Sequence, residues 1–298
     1  MAPSASDVAT VIYNFPVMFH SDGVLLAGRL HRNVSNLIDR QPGVVISGSW
    51  LTVKEQMADR YARELAALGY TALTFDFAGF GASGGEPRQT EMPARKIEDI
   101  TSAVRFLQTF SFVQTDSVSY LAICASAQYA AAAIVRGAPV RSFASVAGWF
   151  HDAVSVAPYY GGAAGLSARI ARAASPQIVP AYEEGNERAG MFINLDYYAN
   201  PARGAVPQWR NEMSETTWLY WLTYDGITPA EKLSVPTLFV HGDECVLPEN
   251  VRRIHSRMPS PGTLVWEKGF QVDFYDRPDL VSLAVKAADG HFRAVSAT

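Results

Sequence analysis

Cysteine is nearly missing from this 298-residue chain: there are two, Cys124 and Cys245. Two thiols make no disulfide framework, so stability must come from a packed core, and a reducing, cytoplasmic setting is the simplest expectation. Long apolar runs are missing too. No stretch of about 20 apolar residues exists, which argues against a helical membrane span. Residues 1–7 carry neither positive charge nor an apolar run, so no secretory leader is expected there. Positive charge is sparse and unclustered. Against 29 Asp and Glu stand 25 Lys and Arg, a net charge of -4, and no basic stripe offers itself to nucleic acid. The six histidines and two cysteines lack ligand spacing, so no metal is expected. Gly79, Gly81, Gly84 and Gly85 follow a strand without opening a helix, so a dinucleotide cofactor is not expected either.

What is present is apolar residue, 48% of the chain, enough for one large α/β core with an insertion. Residues 11–19 and 24–30 read as an antiparallel strand pair around the turn Ser21-Asp22-Gly23. Buried strands follow at residues 43–46, 71–75, 117–123 and 141–147. Helical spacing lies between them at 54–68, 97–110 and 125–135. The alternation breaks at residues 151–230, which hold helix-like pieces and no clear buried strand. It resumes with strands at 236–240 and 263–266 and helices at 249–258 and 278–293. Strands alternating with helices imply a mostly parallel, twisted sheet with right-handed crossovers. No internal repeat or low-complexity tract is present.

The segment Tyr120-Leu121-Ala122-Ile123-Cys124-Ala125-Ser126-Ala127 runs a strand straight into a helix, with small residues around one reactive side chain. A nucleophile held in a sharp strand-to-helix turn needs such neighbours, because its backbone is strained there. The helix also aims its N-terminus at the sulfur, which favours an anion. An inert buried cysteine is the competing reading.

Together with VVISGSWLTVKE at residues 44–55 and LTFDFAGFGASGGEPR at residues 73–88, this turn resembles the α/β-hydrolase family. The similarity is to its dienelactone-hydrolase-like branch, in which cysteine can replace serine. The resemblance implies an eight-stranded sheet flanked by helices, with a helical cap inserted after the sixth strand. Residues 1–150 and 231–298 would form the core and residues 151–230 the cap. It implies an oxyanion hole from the N–H of Ser49 or Trp50 and of Ala125, which would stabilise an anionic oxygen. It places the family's acid at position 245, here cysteine, leaving Asp243 or Glu244 as substitutes or as solvated loop carboxylates. It places the family's histidine at Gln271, which cannot exchange a proton near neutral pH but can hold a carbonyl, hydroxyl or water.

The other histidines are expected elsewhere: His20 and His31 in the front strands, His255 and His291 on solvent-facing helices, His241 as a structural strand end. His151 follows a strand's carboxyl end, where ligands bind in parallel sheets, and is the candidate for a displaced base, against a plain loop role. Thirteen aromatics crowd residues 149–224. Among them Trp149, Tyr159, Tyr160, Trp218 and Trp221 are candidates to wall a pocket for an apolar or aromatic small molecule, against simple packing. Arg169 and Arg172 are read as surface residues. A homodimer is compatible with the sequence, which does not decide it.

Three functions fit. One is a hydrolase of esters, thioesters or lactones working through Cys124. Another is a cyclase, lyase or carbon–carbon bond-forming enzyme of specialised, polyketide-like metabolism that needs no catalytic histidine. The third is a binding protein derived from the fold. Base rate ranks the hydrolase first.

Overall fold

The computed structural model describes residues 11–260 and 262–296, so the opening residues 1–7 lie outside the described residues. In chain order the strands are β1 (Ile12–Ser21), β2 (Val24–Asn33), β3 (Gln41–Ser47), β4 (Thr71–Phe75), β5 (Val113–Ile123) and β6 (Phe143–Val146). The two-residue strands β7 (Ile178–Val179) and β8 (Met213–Ser214) come next, then β9 (Thr237–His241) and β10 (Thr263–Trp266). Eight of them make one sheet in the order β1-β2-β4-β3-β5-β6-β9-β10. Only β2 runs against its neighbours; the pairs from β4 onward are parallel. Strands β4, β6 and β9 are buried along their whole length. That is why they carry no charged residue that alternates outward, only apolar residues with Thr71, Thr74, Ser145, Thr237 and His241: both faces of a parallel sheet are covered.

Helices α1 (Met57–Ala67), α2 (Pro93–Gln108) and α3 (Ser126–Val135) make the crossovers among β3 to β6. Helix α1 starts three residues later than the spacing suggests, because Lys54 is committed to Asp76. Its N–H donates to Oδ1 at 2.8 Å and its Nζ to Oδ2 at 2.7 Å. Helix α2 starts four residues earlier, at Pro93, whose fixed φ and missing N–H suit a first turn. Between β6 and β9 lie α4 (Ala153–Val156), α5 (Gly162–Arg172), α6 (Asp196–Ala199), α7 (Thr217–Leu222) and α8 (Ile227–Ala230). This stretch also carries an antiparallel β7–β8 pair that the sequence reading did not anticipate. Helices α9 (Pro248–Arg257), α10 (Asp273–Asp276) and α11 (Pro278–Ser296) complete the fold. No helix among the described residues is long and apolar enough to cross a membrane.

Surface assignments change at four residues. Arg169 is buried: it donates to the Tyr160 carbonyl at 2.8 Å and lies over the rings of Tyr160 and Trp218 at 5.2 and 5.5 Å. Gly165 lets α5 come this close, since a Cβ there would sit 1.8 Å from the same carbonyl. Arg172 pairs with buried Glu215 at 2.9 Å. His255 and His291 are half-buried, each bonded through Nε2 to a carbonyl, of Gly262 at 2.8 Å and Pro236 at 3.2 Å.

The strand order reverses around β3, whose neighbours are β4 on one side and β5 on the other. Chain leaving the carboxyl ends of β3 and β5 therefore diverges, and the crevice it opens is where ligands settle in such sheets.

Candidate active site

Cys124 sits in that crevice, between the last residue of β5 and the first turn of α3, with φ at 58°. A left-handed backbone costs a non-glycine residue about 1–2 kcal/mol. Three hydrogen bonds hold it. The Cys124 N–H donates to Val146 O at 3.1 Å, and its carbonyl accepts from Ala127 N at 3.0 Å and Trp149 N at 2.9 Å. Ala122, Ala125 and Ala127 are all fully buried around it, as an elbow requires. Ser126 Oγ ties the start of α3 to the end of β3 through Ser47 O at 3.0 Å.

Facing the elbow is the turn after β3. Leu51 is also left-handed, with φ at 59°, and its carbonyl accepts from Trp209 Nε1 at 2.8 Å. Thr52 Oγ1 closes the turn on Ser49 O at 2.7 Å. The result brings Trp50 and Ala125 to the sulfur. Burial pushes the Cys124 thiol up from its ordinary range. Hydrogen bonds from the hydroxyls of Ser49 and Tyr275 and from the backbone N–H of Ala125 and Trp50 pull the other way without cancelling it. The candidate oxyanion residues Ser49, Trp50 and Ala125 are thus brought together at Cys124. Donors that meet a sulfur there can meet an anionic oxygen beside it.

The opposite side of the site differs from the pattern. Cys245, at the acid's position, is buried, donates weakly to Gly269 O at 3.8 Å, and is pushed up to about 12 by that burial. Asp243 does not enter the site. It is exposed and paired with Arg252, which holds its carboxyl below the usual range. Glu244 is exposed and lines the cavity mouth. Gln271 is fixed by three bonds: Oε1 accepts from Val246 N at 3.1 Å, while Nε2 donates to Ala147 O at 2.8 Å and to Tyr275 Oη at 3.0 Å.

His151 is not brought to Cys124. It is fully buried beside the pocket wall, and both ring nitrogens are engaged. Nδ1 accepts from Trp149 Nε1 at 2.8 Å and Nε2 donates to Trp221 O at 2.7 Å. An indole N–H only donates, so Nδ1 is bare and the ring is neutral. Burial lowers its pKa to about 4. His241 is bonded through Nε2 alone, to Val246 O at 3.2 Å, and its pKa is lowered by burial to about 4.

Above the sulfur is a cavity of about 210 Å³. Trp149, Tyr159, Tyr160 and Trp221 wall it, with Phe192 and Phe270. Trp218, expected with them, stands one layer behind. It is fully buried against Trp50 and Tyr160, with ring centroids 5.9 and 5.2 Å away, and packs the wall rather than lining it. Two polar residues that the sequence did not single out also line the cavity, Tyr198, one of the thirteen crowded aromatics, and Tyr275. The Tyr198 hydroxyl donates to Ser49 Oγ at 3.1 Å, and Tyr275 Oη lies 3.3 Å from the same oxygen. Tyr275 was findable: it stands four residues after Gln271, the spacing of one helical turn. Tyr198 had no such local signal. Among the described residues no group of three or more His, Cys, Asp or Glu is placed to hold a metal ion.

No protein-family model matches the chain. Its sequence is 30% identical over 219 residues to the uncharacterized protein YcjY of Escherichia coli, covering 67% of this chain and 71% of that protein. It is 24% identical over 264 residues to a thiohydrolase of Eupenicillium brefeldianum, with 83% of each covered. A polyketide transferase of Penicillium crustosum, claH, is 32% identical over 117 residues, 39% of this chain and 38% of that one. Among solved structures, the hypothetical protein PA2218 of Pseudomonas aeruginosa superposes with a TM-score of 0.79 at 25% identity over 94% of each chain. The α/β hydrolase GrgF of a Penicillium species superposes with a TM-score of 0.75 at 20% identity, covering 95% of this chain and 99% of that one.

Proposed function

This chain, built on the α/β-hydrolase fold, belongs to the family of Escherichia coli YcjY, and we propose that it is an enzyme that takes an apolar acyl group from a thioester onto Cys124. The observation that carries this reading is the meeting of Cys124, in its left-handed elbow, with the N–H of Ala125 and Trp50 beneath an aromatic-walled cavity. The carbonyl oxygen would take the two N–H donors as it becomes anionic, and the acyl chain would lie against Trp149, Tyr160 and Trp221. In this reading residues 151–230 act as the cap that supplies Tyr160 and Trp221, with Trp149 coming from the core, and keeps water out.

The thioester is favoured over the ester or lactone by the lower basicity of its leaving group. A neutral thiol attacking a thioester loses one proton while the departing sulfur gains one, so no net base is consumed. An alkoxide leaving group is far more basic and would need a strong acid beside it. Release is the harder half. Gln271 cannot activate water, and both ends of its amide are tied. The acyl group would therefore leave to a nucleophile stronger than water, or to one on its own chain, which is cyclisation. That favours transfer over hydrolysis, in keeping with the polyketide transferase among the relatives. The thiohydrolase relative marks the competing outcome.

Intact-protein mass spectrometry after exposure to medium-chain acyl thioesters tests the reading. An acyl adduct on the wild type, absent from Cys124→Ala and slow to hydrolyse, is the expected result. Turnover to free acid without an adduct would overturn it.

A further inference from the structure

A cysteine that surrenders a proton needs somewhere to send it, and the neighbours usually assigned this task are elsewhere or replaced. His151 has both nitrogens engaged away from the sulfur. Gln271 stands where the resemblance puts a base, and Cys245 where it puts an acid. Yet Gln271 is not idle. Its Oε1 takes the Val246 N–H, which fixes the sense of the amide and turns both Nε2 hydrogens the other way. One goes to Ala147 O at 2.8 Å and the other to Tyr275 Oη at 3.0 Å. The Ala147 backbone is itself left-handed, with φ at 44°, next to the strand end that shares its hydrogen bonding with the elbow.

The consequence falls on Tyr275. Its oxygen is an acceptor toward Gln271, so its own hydrogen is released to point into the cavity. Ser49 Oγ is 3.3 Å away there, and Cys124 lines the same cavity. Ser49 Oγ in turn receives the Tyr198 hydroxyl at 3.1 Å, which leaves its remaining hydrogen for Tyr275 or the sulfur. Tyr275 is fully buried and lines the cavity, so its hydroxyl is shielded from bulk water.

We propose that the Tyr275 hydroxyl, aimed by Gln271, is the proton carrier of acyl capture, accepting the Cys124 proton while passing its own hydrogen to the departing sulfur. The inference rests on the thioester reading above. The Cys124 S–C bond forms as the bond from the carbonyl carbon to the leaving sulfur breaks. The thiol proton arrives at Oη, the Oη hydrogen leaves on the released thiol, and Tyr275 finishes neutral as it began. Because both transfers occur together, no phenolate accumulates, which a buried phenol would resist strongly. Tyr275 touches the reacting atoms and is catalytic; Gln271 acts through it and is a positioning residue. The device trades a histidine's capacity to store a proton for a hydroxyl's capacity to relay one. It serves exchange between two sulfurs and does nothing for water.

The test is the pre-steady-state rate of acyl capture from an alkyl thioester, read by mass spectrometry and thiol release. Alkylation of Cys124 by iodoacetamide and thermal unfolding serve as controls for an intact site. Tyr275→Phe is expected to slow capture by about a hundredfold or more while remaining folded and alkylatable. The loss should shrink for an aryl thioester, whose sulfur leaves unaided. Gln271→Met, which keeps the side chain's length but frees the tyrosine hydroxyl to turn, is expected to lose about tenfold and to recover with the same aryl thioester. A proton inventory on the wild type should bow, reporting two protons in flight. Equal capture rates in wild type and Tyr275→Phe, or a strictly linear inventory, would overturn the relay while leaving acyl capture standing. Failure of the wild type to be acylated by any thioester would remove the thioester reading itself and the relay with it.

Discussion

The two sides of the crevice were built by different rules. At the ends of β3 and β5 the parts that the proposed reading assigns to the carbonyl, Trp50, Cys124 and Ala125, are held by left-handed residues and backbone bonds. At the ends of β9 and β10, where the resemblance implies an acid and a histidine, stand Cys245 and Gln271. The first side is backbone geometry, which tolerates little change once a sheet fixes it. The second side is side-chain chemistry, which a single substitution rewrites without moving the chain. A fold can therefore keep its grip on a carbonyl while changing what it does next.

The largest effect that tests this contrast comes from the first side. Cys124→Ala is expected to abolish acyl capture, a loss of at least about 10³-fold, with the fold retained. Persistence of the adduct in that variant would assign the chemistry to another group. Next is the second side. Gln271→His restores a base where the resemblance places one. Hydrolysis of a preformed acyl-enzyme is expected to rise by tenfold or more and to acquire an acidic limb near the histidine pKa of about 6.5. No gain would show that the missing carboxylate at Cys245 matters as much as the missing histidine.

Acid stability is the next measure. His151 and His241 are buried neutral, with pKa values near 4 in the folded state against an ordinary value of 6.5. Between those limits the unfolded chain binds protons that the folded chain refuses, so stability falls as pH drops from about 6.5 to 4 and then levels off. Each histidine contributes roughly 3 kcal/mol to that loss. Denaturant unfolding at pH 7 and pH 4.5 measures it. Flat stability over the window would mean that one or both rings are protonated in the fold. The smallest effect is at Ala147, where glycine adopts φ of 44° without strain. Ala147→Gly is expected to change stability by under about 1 kcal/mol, the relief of strain being offset by a looser unfolded chain.

Most of the sheet was legible because its signals are local. Short runs of apolar and β-branched residues at 43–46, 71–75 and 236–240 read as strands, and the small residues around Cys124 announce a sharp turn. The aromatic wall was legible as a crowd but not as individuals: Trp218 and Trp221 sit on the same short helix, and only Trp221 reaches the cavity. His151 misled because its position at a strand end is right and its direction is not; chain order says nothing of which way a ring turns. The cluster around the sulfur could not be assembled at all, since the contact between Ser49 and Tyr275 joins residues 226 apart. Contacts of that span are decided by the whole fold.

One feature of Cys124 reaches beyond catalysis. Peroxide attacks thiolates, and the sulfur of an ordinary low-pKa catalytic cysteine is correspondingly quick to become sulfenic acid. Here burial raises the thiol's pKa, which lowers the share of thiolate at neutral pH. In the proposed reading the sulfur would be exposed to oxidation only weakly between turnovers, so acyl capture is expected to survive in air without the reductants that cysteine enzymes generally require.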